Sequence, residues 1–180
     1  MAGLSRGQIE SIVDKALAYK ALQVKGELVW LIQKILGLPS RETAVELGTC
    51  NGGTLFALMH VFDRVFSIDV GRKDLPFPIR IGDEYIIGNT QNTEILKKVP
   101  DAVDFLLIDA DHRYEGIKAD FSLWRSKVRA GGMIALHDIN GAVETDGVKK
   151  FWGEIIGDGS YQTDQIMLSP RFFGIGLIRI

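Results

Sequence analysis

The sequence contains only one cysteine, Cys50, which limits the chemistry that the chain can perform. A single cysteine excludes an internal disulfide and every zinc site built from several thiolates. It is also typical of a reducing compartment, so we expect a cytoplasmic protein. No run reaches the roughly 18 apolar residues of a membrane span, and residues 1–20 are interrupted by charges throughout. We therefore expect a soluble, unexported protein that has no membrane partner.

An excess of charge of either sign is also absent. The 21 basic and 23 acidic residues are interspersed and give a formal net charge of −2. Proteins that bind nucleic acids usually concentrate basic residues, so we expect no nucleic-acid partner and favour a small molecule. A length of 180 residues with 46% hydrophobic content predicts one compact domain over residues 1–180.

The hydrophobic pattern divides the chain into a helical segment, residues 1–38, and a core, residues 39–180. In the first segment apolar residues recur at helical spacing in two stretches, and Ser5 with Gln8 forms a capping-box pattern. In the second segment apolar runs alternate with helical stretches, which predicts strands at 43–47, 64–70, 84–89, 103–109 and 132–138. Continuous apolar strands flanked by helices predict an α/β fold, a Rossmann-like, doubly wound and mostly parallel sheet.

Two connections depart from this rhythm. Residues 160–168 and 172–180 are separated by only three residues, too few for a crossover helix, so they predict an antiparallel hairpin added to the sheet. Residues 71–83 contain Pro76 and Pro78, which argue against a helix between the second and third strands. We expect a loop that leaves one sheet face partly uncovered, which is compatible with a homodimer.

The stretch VELGTCNGGT (45–54) joins the first strand to a helix, where open α/β sheets bind ligands. Its glycines form neither G-x-G-x-x-G nor the phosphate loop, which disfavours nicotinamide and nucleoside triphosphate ligands. Glu46 would repel a pyrophosphate and attract an ammonium group. Asp69 ends the second strand, where a carboxylate can accept hydrogen bonds from ribose hydroxyls. These residues predict an adenosine ligand with a cationic tail.

VELGTCNGG resembles the first motif of the class I S-adenosylmethionine-dependent methyltransferases, and the last twenty residues resemble the closing hairpin of that family. The resemblance covers residues 40–180 and implies that S-adenosylmethionine is the cofactor. It assigns the methionine part to Glu46, Gly48, Thr49, Asn51, Gly52 and Gly53, the ribose to Asp69, the adenine side to Gly88, Asn89 and Thr90, and a further cofactor contact to Asp109. Taken singly, Asp69 could instead cap a helix, and Cys50 would merely fill the turn.

Acidic and histidine side chains follow two further strands. Asp109 ends the fourth strand, and His137 with Asp138 follows the fifth. Carboxylates that converge at one edge of a sheet raise one another's pKa unless a cation offsets them, so we expect a divalent metal. The stretches IDADHRYEG, ADFSLW and GGMIALHDI resemble the metal-dependent O-methyltransferases, a branch that includes catechol and macrocin O-methyltransferases. This implies Mg²⁺ on Asp109, His137 and Asp138; because histidine replaces an oxygen donor, Mn²⁺ or Fe²⁺ is also compatible.

His112 lies three residues after Asp109, where the branch places its general base, and an imidazole near neutrality suits this task. A phenol-like hydroxyl with a pKa of about 10 must lose about three units to ionise at pH 7, which is about 4 kcal/mol. A divalent cation can supply several kcal/mol of such stabilisation, which leaves His112 to accept the proton.

Each of these side chains also has a simpler interpretation. Asp111 is better explained as the N-cap of a helix starting near Arg113 than as a ligand. His112 could face solvent from the first turn of that helix, and His137 could orient Asp138 without contacting metal. Trp152 and the neighbouring aromatics have the helical spacing of core residues, although Trp152 could border a substrate.

The leading hypothesis is a metal-dependent O-methyltransferase that acts on a small hydroxylated molecule, with the two N-terminal helices as a candidate lid. Two histidines and two aspartates could instead hold Fe²⁺ for oxygen chemistry, as in relatives named cephalosporin hydroxylase. A third possibility is a non-catalytic scaffold that retains cofactor binding. We expect residues 71–83 and 139–147 to border the substrate.

Overall fold

The computed structural model of the protein describes residues 3–141 and 146–180. Two helices come first, α1 (Arg6–Ala18) and α2 (Lys25–Leu36), as predicted. The predicted capping box is present: the Ser5 hydroxyl accepts from the Gln8 N–H, and the Gln8 side chain accepts from the Ser5 N–H. Within the described ranges, no helix has the length and apolar character needed to cross a membrane.

Seven strands form one sheet in the order β3-β2-β1-β4-β5-β7-β6. In chain order the strands are β1 (Thr43–Leu47), β2 (Arg64–Asp69), β3 (Glu84–Ile87), β4 (Val103–Ile108), β5 (Val128–His137), β6 (Gln162–Ile166) and β7 (Ile175–Arg179). The first five strands pair in parallel, while β7 pairs antiparallel with both β5 and β6. The predicted α/β fold and its terminal hairpin are therefore confirmed.

Helices cover both faces of this sheet. The helices after α2 are α3 (Gly53–Met59), α4 (Thr93–Leu96), α5 (Tyr114–Trp124) and α6 (Asp146–Asp158), with a 3₁₀ turn at Arg125–Lys127. Alternate residues of β4 face opposite sides: Phe105 belongs to the hydrophobic cluster formed with α1, α2 and α3, and Leu106 to the cluster formed with α5 and α6. Because side chains alternate along a strand, an uninterrupted apolar strand requires cover on both faces.

Strand β5 begins four residues earlier than predicted. The sequence VRAGGM resembles a turn, but Val128 already pairs with Val103, and the register shifts between Val103 and Phe105. Gly131 adopts φ 80°, a conformation that glycine tolerates in a bulge, so the strand continues through the irregularity. Strands β2 and β3 end one and two residues earlier than expected, at Asp69 and Ile87.

The linker 71–83 contains no helix, as predicted, but it does not leave the sheet face open. Leu75, Phe77 and Ile79 are partly buried and pack against the cluster formed with α1, α2 and α3. The expected gap is thus filled, and a homodimer stays a prediction without this support. Trp152 is buried in the other cluster, so the suggestion that it borders a substrate is wrong.

Candidate active site

The carboxyl ends of the parallel strands border a cavity of about 730 Å³, a size typical of small-molecule sites. Four predicted cofactor residues line it, together with Thr90: Gly48, Asp69, Asn89 and Asp109. Every predicted metal or base residue lines the same cavity: Asp109, His112, His137 and Asp138. The fold therefore brings all the predicted metal and base residues, and part of the predicted cofactor set, into one space.

Gly48 follows β1 and lines the cavity. Its φ is 94°, and a Cβ placed on it would overlap the carbonyl oxygen of Asp109, so only glycine fits between β1 and β4 here. Gly52 and Gly53 also lie close to other parts of the protein. A Cβ on Gly52 would lie 2.6 Å from Leu75 of the linker, and one on Gly53 would overlap the backbone nitrogen of Ala21. These two glycines give room to protein segments.

Glu46 is fully buried and stands at the end of a polar chain. Its Oε2 accepts a hydrogen bond from the Ser67 hydroxyl, whose oxygen lies 2.6 Å from Thr49 Oγ1. Burial raises the pKa of Glu46 well above its usual range, although the Ser67 hydrogen bond opposes the shift. In the described part of the chain no group hydrogen bonds to Glu46 Oε1. An unpartnered buried oxygen is suited to a donor on a ligand, such as an ammonium group.

Asp69 fixes the turns on both sides of the cavity. Its Oδ2 accepts from the N–H of Cys50 and its Oδ1 accepts from the N–H of Gly71, both at 2.9 Å. Each carboxylate oxygen keeps a second lone pair, so ribose hydroxyls could still bind. Four further predicted residues do not line the cavity: Glu46 is fully buried, and Thr49, Asn51 and Gly88 adjoin lining residues in the sequence. Their contact with a cofactor stays a prediction.

Four ionisable side chains meet at the ends of β4 and β5. Asp109 Oδ1 lies 3.3 Å from His112 Nε2 and 3.2 Å from His137 Nδ1. Asp138 Oδ2 lies 3.2 Å and 3.5 Å from the same two nitrogens. The ligand atoms of Asp109, His137 and Asp138 all lie within 4.8 Å of one another. Two carboxylates and an imidazole at this spacing form a donor set for a divalent cation.

The same contacts shift the pKa values of all four side chains. Hydrogen bonds to Asp109 and Asp138 raise the pKa of His112 to about 10. Burial alone would lower the pKa of His137, but the two carboxylates outweigh it and raise that pKa to about 10. Burial likewise opposes the shift of both aspartates, yet the imidazoles lower the pKa of Asp109 and of Asp138. Without a cation, these contacts favour the charged form of both histidines; a near-neutral His112 belongs to the metal-bound site and stays a prediction.

The simpler interpretation of Asp111 as a helix N-cap is also wrong. Helix α5 begins at Tyr114 with Arg113 at the N-cap position, and no side chain caps it. The Asp111 carboxylate instead accepts from the backbone N–H and the guanidinium of Arg113. Because Gly116 lacks a Cβ, the Asp111 side chain can pack directly against it.

The sequence did not indicate Gln23 or Phe173 as site residues, and it did not single out Lys73 within the linker 71–83. Gln23, between α1 and α2, donates a hydrogen bond to Asp109 Oδ2 at 3.4 Å. Lys73 and Phe173 line the cavity, and the Phe173 ring stacks on His137. The proline-containing linker and the short hairpin connection indicated loops here, but not which side chains face inward. In the predicted substrate segment 139–147, residues 142–145 lie outside the described residues.

Comparison with known proteins agrees with this geometry. A family model described as a methyltransferase domain matches residues 45–139. The uncharacterized protein R132 of Acanthamoeba polyphaga mimivirus is 30% identical over 112 residues, which are 53% of this chain and 51% of that protein. The match thus spans about half the length of this relative.

Solved structures share the fold at low identity. MycE, a methyltransferase of the mycinamycin biosynthetic pathway in complex with Mg, S-adenosylhomocysteine and mycinamycin VI, has a TM-score of 0.68 at 12% identity over 95% of this chain and 54% of its own. The O-methyltransferase TomG of Streptomyces achromogenes, in complex with S-adenosylmethionine, has a TM-score of 0.64 at 15% identity over 96% of this chain and 89% of its own. Fibrillarin of Aeropyrum pernix, with natively bound S-adenosylmethionine, has a TM-score of 0.58 at 18% identity over 94% of this chain and 76% of its own.

These structures establish the shared fold, and the family model spans more than half of the chain. The protein therefore belongs to the methyltransferase-domain family and has the fold of S-adenosylmethionine-dependent methyltransferases.

Proposed function

We propose that the protein is an S-adenosylmethionine-dependent O-methyltransferase that uses a divalent metal and acts on a hydroxyl group of a small molecule. The observation that carries the proposal is one cavity lined by both Asp69 and the cluster of Asp109, His112, His137 and Asp138. A site for S-adenosylmethionine alone would not need this cluster of carboxylates and imidazoles. The MycE complex, which contains Mg, S-adenosylhomocysteine and mycinamycin VI, supports the same combination.

Two observations support S-adenosylmethionine as the cofactor. Asp69 lines the cavity and each of its carboxylate oxygens keeps a lone pair for a ribose hydroxyl, and Glu46 Oε1, a buried oxygen without a partner among the described residues, would accept from an ammonium group. S-adenosylmethionine would supply the methyl group: its carbon–sulfur bond breaks as the bond from carbon to the acceptor oxygen forms, and S-adenosylhomocysteine leaves. The protein's task is then to align the two reactants.

We assign Asp109, His137 and Asp138 as the ligands of the divalent cation. Bound there, the cation would stabilise the ionised acceptor oxygen. It would also compete with the two imidazoles for the carboxylates, so the pKa of His112 would fall from its metal-free value of about 10. His112 is our proposed proton acceptor under those conditions. One imidazole nitrogen among the ligands makes Mn²⁺ or Fe²⁺ at least as suitable as Mg²⁺.

The second candidate function is an Fe²⁺-dependent hydroxylase, which the presence of two histidines and two carboxylates in one cluster favours. We rank it lower because oxygen chemistry gives no role to the buried Glu46 Oε1, which has no hydrogen-bond partner in the described part of the chain. A cofactor-binding scaffold without turnover is the third candidate.

Calorimetric titration of S-adenosylmethionine, with and without Mn²⁺ or Mg²⁺, tests the proposal. We expect binding by the wild type and at least about tenfold weaker binding by Asp69→Asn, because one acceptor oxygen is lost. Asp74→Asn, on the exposed part of the following linker, is the control. Absence of binding under every metal condition would reject the methyltransferase function.

A turnover assay is the second test of the proposed function. Incubation with methyl-labelled S-adenosylmethionine and a panel of phenols, catechols and sugars should give labelled product that EDTA suppresses. Oxygen consumption with Fe²⁺ but no labelled product would favour the hydroxylase, and binding without either activity would favour the scaffold.

A further inference from the structure

Gln23 connects the N-terminal segment to the candidate metal site. It lies between α1 and α2, is only 6% exposed, and precedes the region that the family model matches. A buried glutamine needs partners for both ends of its amide, because an unpaired polar group in the interior is costly. Its partners therefore indicate its role.

Both ends of the Gln23 amide are engaged. The oxygen Oε1 accepts from the Thr54 hydroxyl at 2.9 Å, and the nitrogen Nε2 donates to Asp109 Oδ2 at 3.4 Å. A carboxylate at neutral pH can only accept, so the nitrogen must face Asp109 and the oxygen must face Thr54. Gln23 thus holds one oxygen of Asp109, while the other oxygen faces His112 and His137.

The backbone that carries Gln23 is anchored on the neighbouring helix. Gly53, the first residue of α3, lies so close to the loop that a Cβ would overlap the nitrogen of Ala21. The N–H of Ala21 itself donates to the carbonyl of Ala16 at 3.0 Å. Gln23 therefore reaches Asp109 from a fixed position.

Glu27 anchors the same segment on its other side. This fully buried residue of α2 accepts from the N–H of Leu168 at 2.7 Å and from the N–H of Gly174 at 3.2 Å. Both donors belong to the connection between β6 and β7, which also carries Phe173 into the cavity. The N-terminal segment is accordingly a wall of the site in this structure, and its role as a lid stays a prediction.

We propose that Gln23 is a positioning residue that orients the Asp109 carboxylate for cation binding, so that the N-terminal segment sets the metal affinity of the site. The inference rests on the proposed function, since it assumes that Asp109 binds a cation. Groups that hydrogen bond to a metal ligand typically change metal affinity by about 10- to 100-fold when they are removed.

The test is Mn²⁺ affinity, measured by calorimetry and by the electron paramagnetic resonance signal of free Mn²⁺. Gln23→Met keeps the length and approximate shape of the side chain and removes both hydrogen bonds. We expect its Kd for Mn²⁺ to rise about tenfold or more, with turnover restored by excess Mn²⁺. Gln33→Met, an exposed glutamine on α2, is the matched control.

Thr54→Val is the second variant, because it leaves Gln23 in place and removes only the hydroxyl that orients the amide. A smaller rise in the Kd for Mn²⁺, in the same direction, is expected even if Gln23→Met folds poorly. An affinity equal to that of the wild type in both variants, while Asp138→Asn loses Mn²⁺, overturns the role of Gln23 and leaves the proposed function standing. Lack of Mn²⁺ binding by the wild type overturns both.

Discussion

The Phe173 ring stacks on the imidazole of His137, with ring centroids 5.9 Å apart and planes inclined by 30°. Phe173 comes from the connection between β6 and β7 and has φ 63°, a left-handed conformation that is uncommon for an aromatic residue. The contact gives the proposed metal ligand an apolar wall, and Phe173 also lines the cavity. A residue in this position is suited to contact the acceptor.

We therefore expect Phe173→Leu to raise the KM for the acceptor about five- to tenfold, because aromatic surface is lost from the wall. The affinity for S-adenosylmethionine should change little. Phe172→Leu alters the adjacent, half-exposed ring and serves as the control. Steady-state kinetics at saturating metal measure the effect; an unchanged KM would mean that the acceptor binds elsewhere in the cavity.

His137→Glu tests metal choice. The substitution replaces the nitrogen donor with oxygen, so the ratio of turnover with Mg²⁺ to turnover with Mn²⁺ should rise about tenfold or more. His60→Glu makes the same change at an exposed position at the end of α3. If the ratio is the same in the wild type and in His137→Glu, His137 is not a ligand and acts only on Asp138.

Asp120 makes stability depend on pH. It is fully buried on α5, hydrogen bonds to Thr90 through Oδ1, and burial raises its pKa from 3.8 to about 6. The folded state thus binds this proton more tightly than the unfolded state does. The resulting stabilisation is complete below about pH 4 and is lost as the pH rises towards 6.

Asp120→Asn should consequently be more stable than the wild type by about 1–2 kcal/mol above pH 6, because the buried charge is gone. The difference should disappear below about pH 4. Urea unfolding at a series of pH values measures it, with the exposed Asp63→Asn as the control. A constant difference across this range would show that Asp120 does not titrate as its burial predicts.

Glu27→Gln should weaken the contact between α2 and the connection from β6 to β7. The new amide nitrogen would face one of the two backbone N–H groups, so one donor loses its acceptor. We expect the free energy of unfolding to fall by about 1–3 kcal/mol. Urea denaturation of this variant beside Glu115→Gln, which is exposed, is the measurement. Equal stability of the two variants would contradict the anchoring role of Glu27.

Much of the site could be predicted because it depends on short sequence features. Asp69, Asp109 and Asp138 each lie at or next to the end of an apolar strand, and the carboxyl ends of parallel strands share one edge of the sheet. The hairpin followed from the three residues between its predicted strands. Strand β5 was less predictable, since its start depends on pairing with Val103 across an irregular register.

Other features depend on residues that are distant in sequence. Gln23 and Asp109 are 86 positions apart, and Glu27 and Leu168 are 141 apart, so no local pattern relates them. The charge of His112 also depends on contacts that form only in the folded structure. An imidazole is near neutrality by itself, and only the approach of two carboxylates moves its pKa to about 10.

The sequence by itself determined the α/β class, the order of the strands along the chain, the glycine turn and the edge of the sheet at which acidic residues gather, because hydrophobic period, turn residues and connection length act over a few residues. The tertiary structure alone decided which side chains complete the site and in which protonation state they meet. Hydrogen bonding, burial and charge interaction depend on distance in space, and that distance is fixed only when the N-terminal segment and the terminal hairpin pack against the sheet.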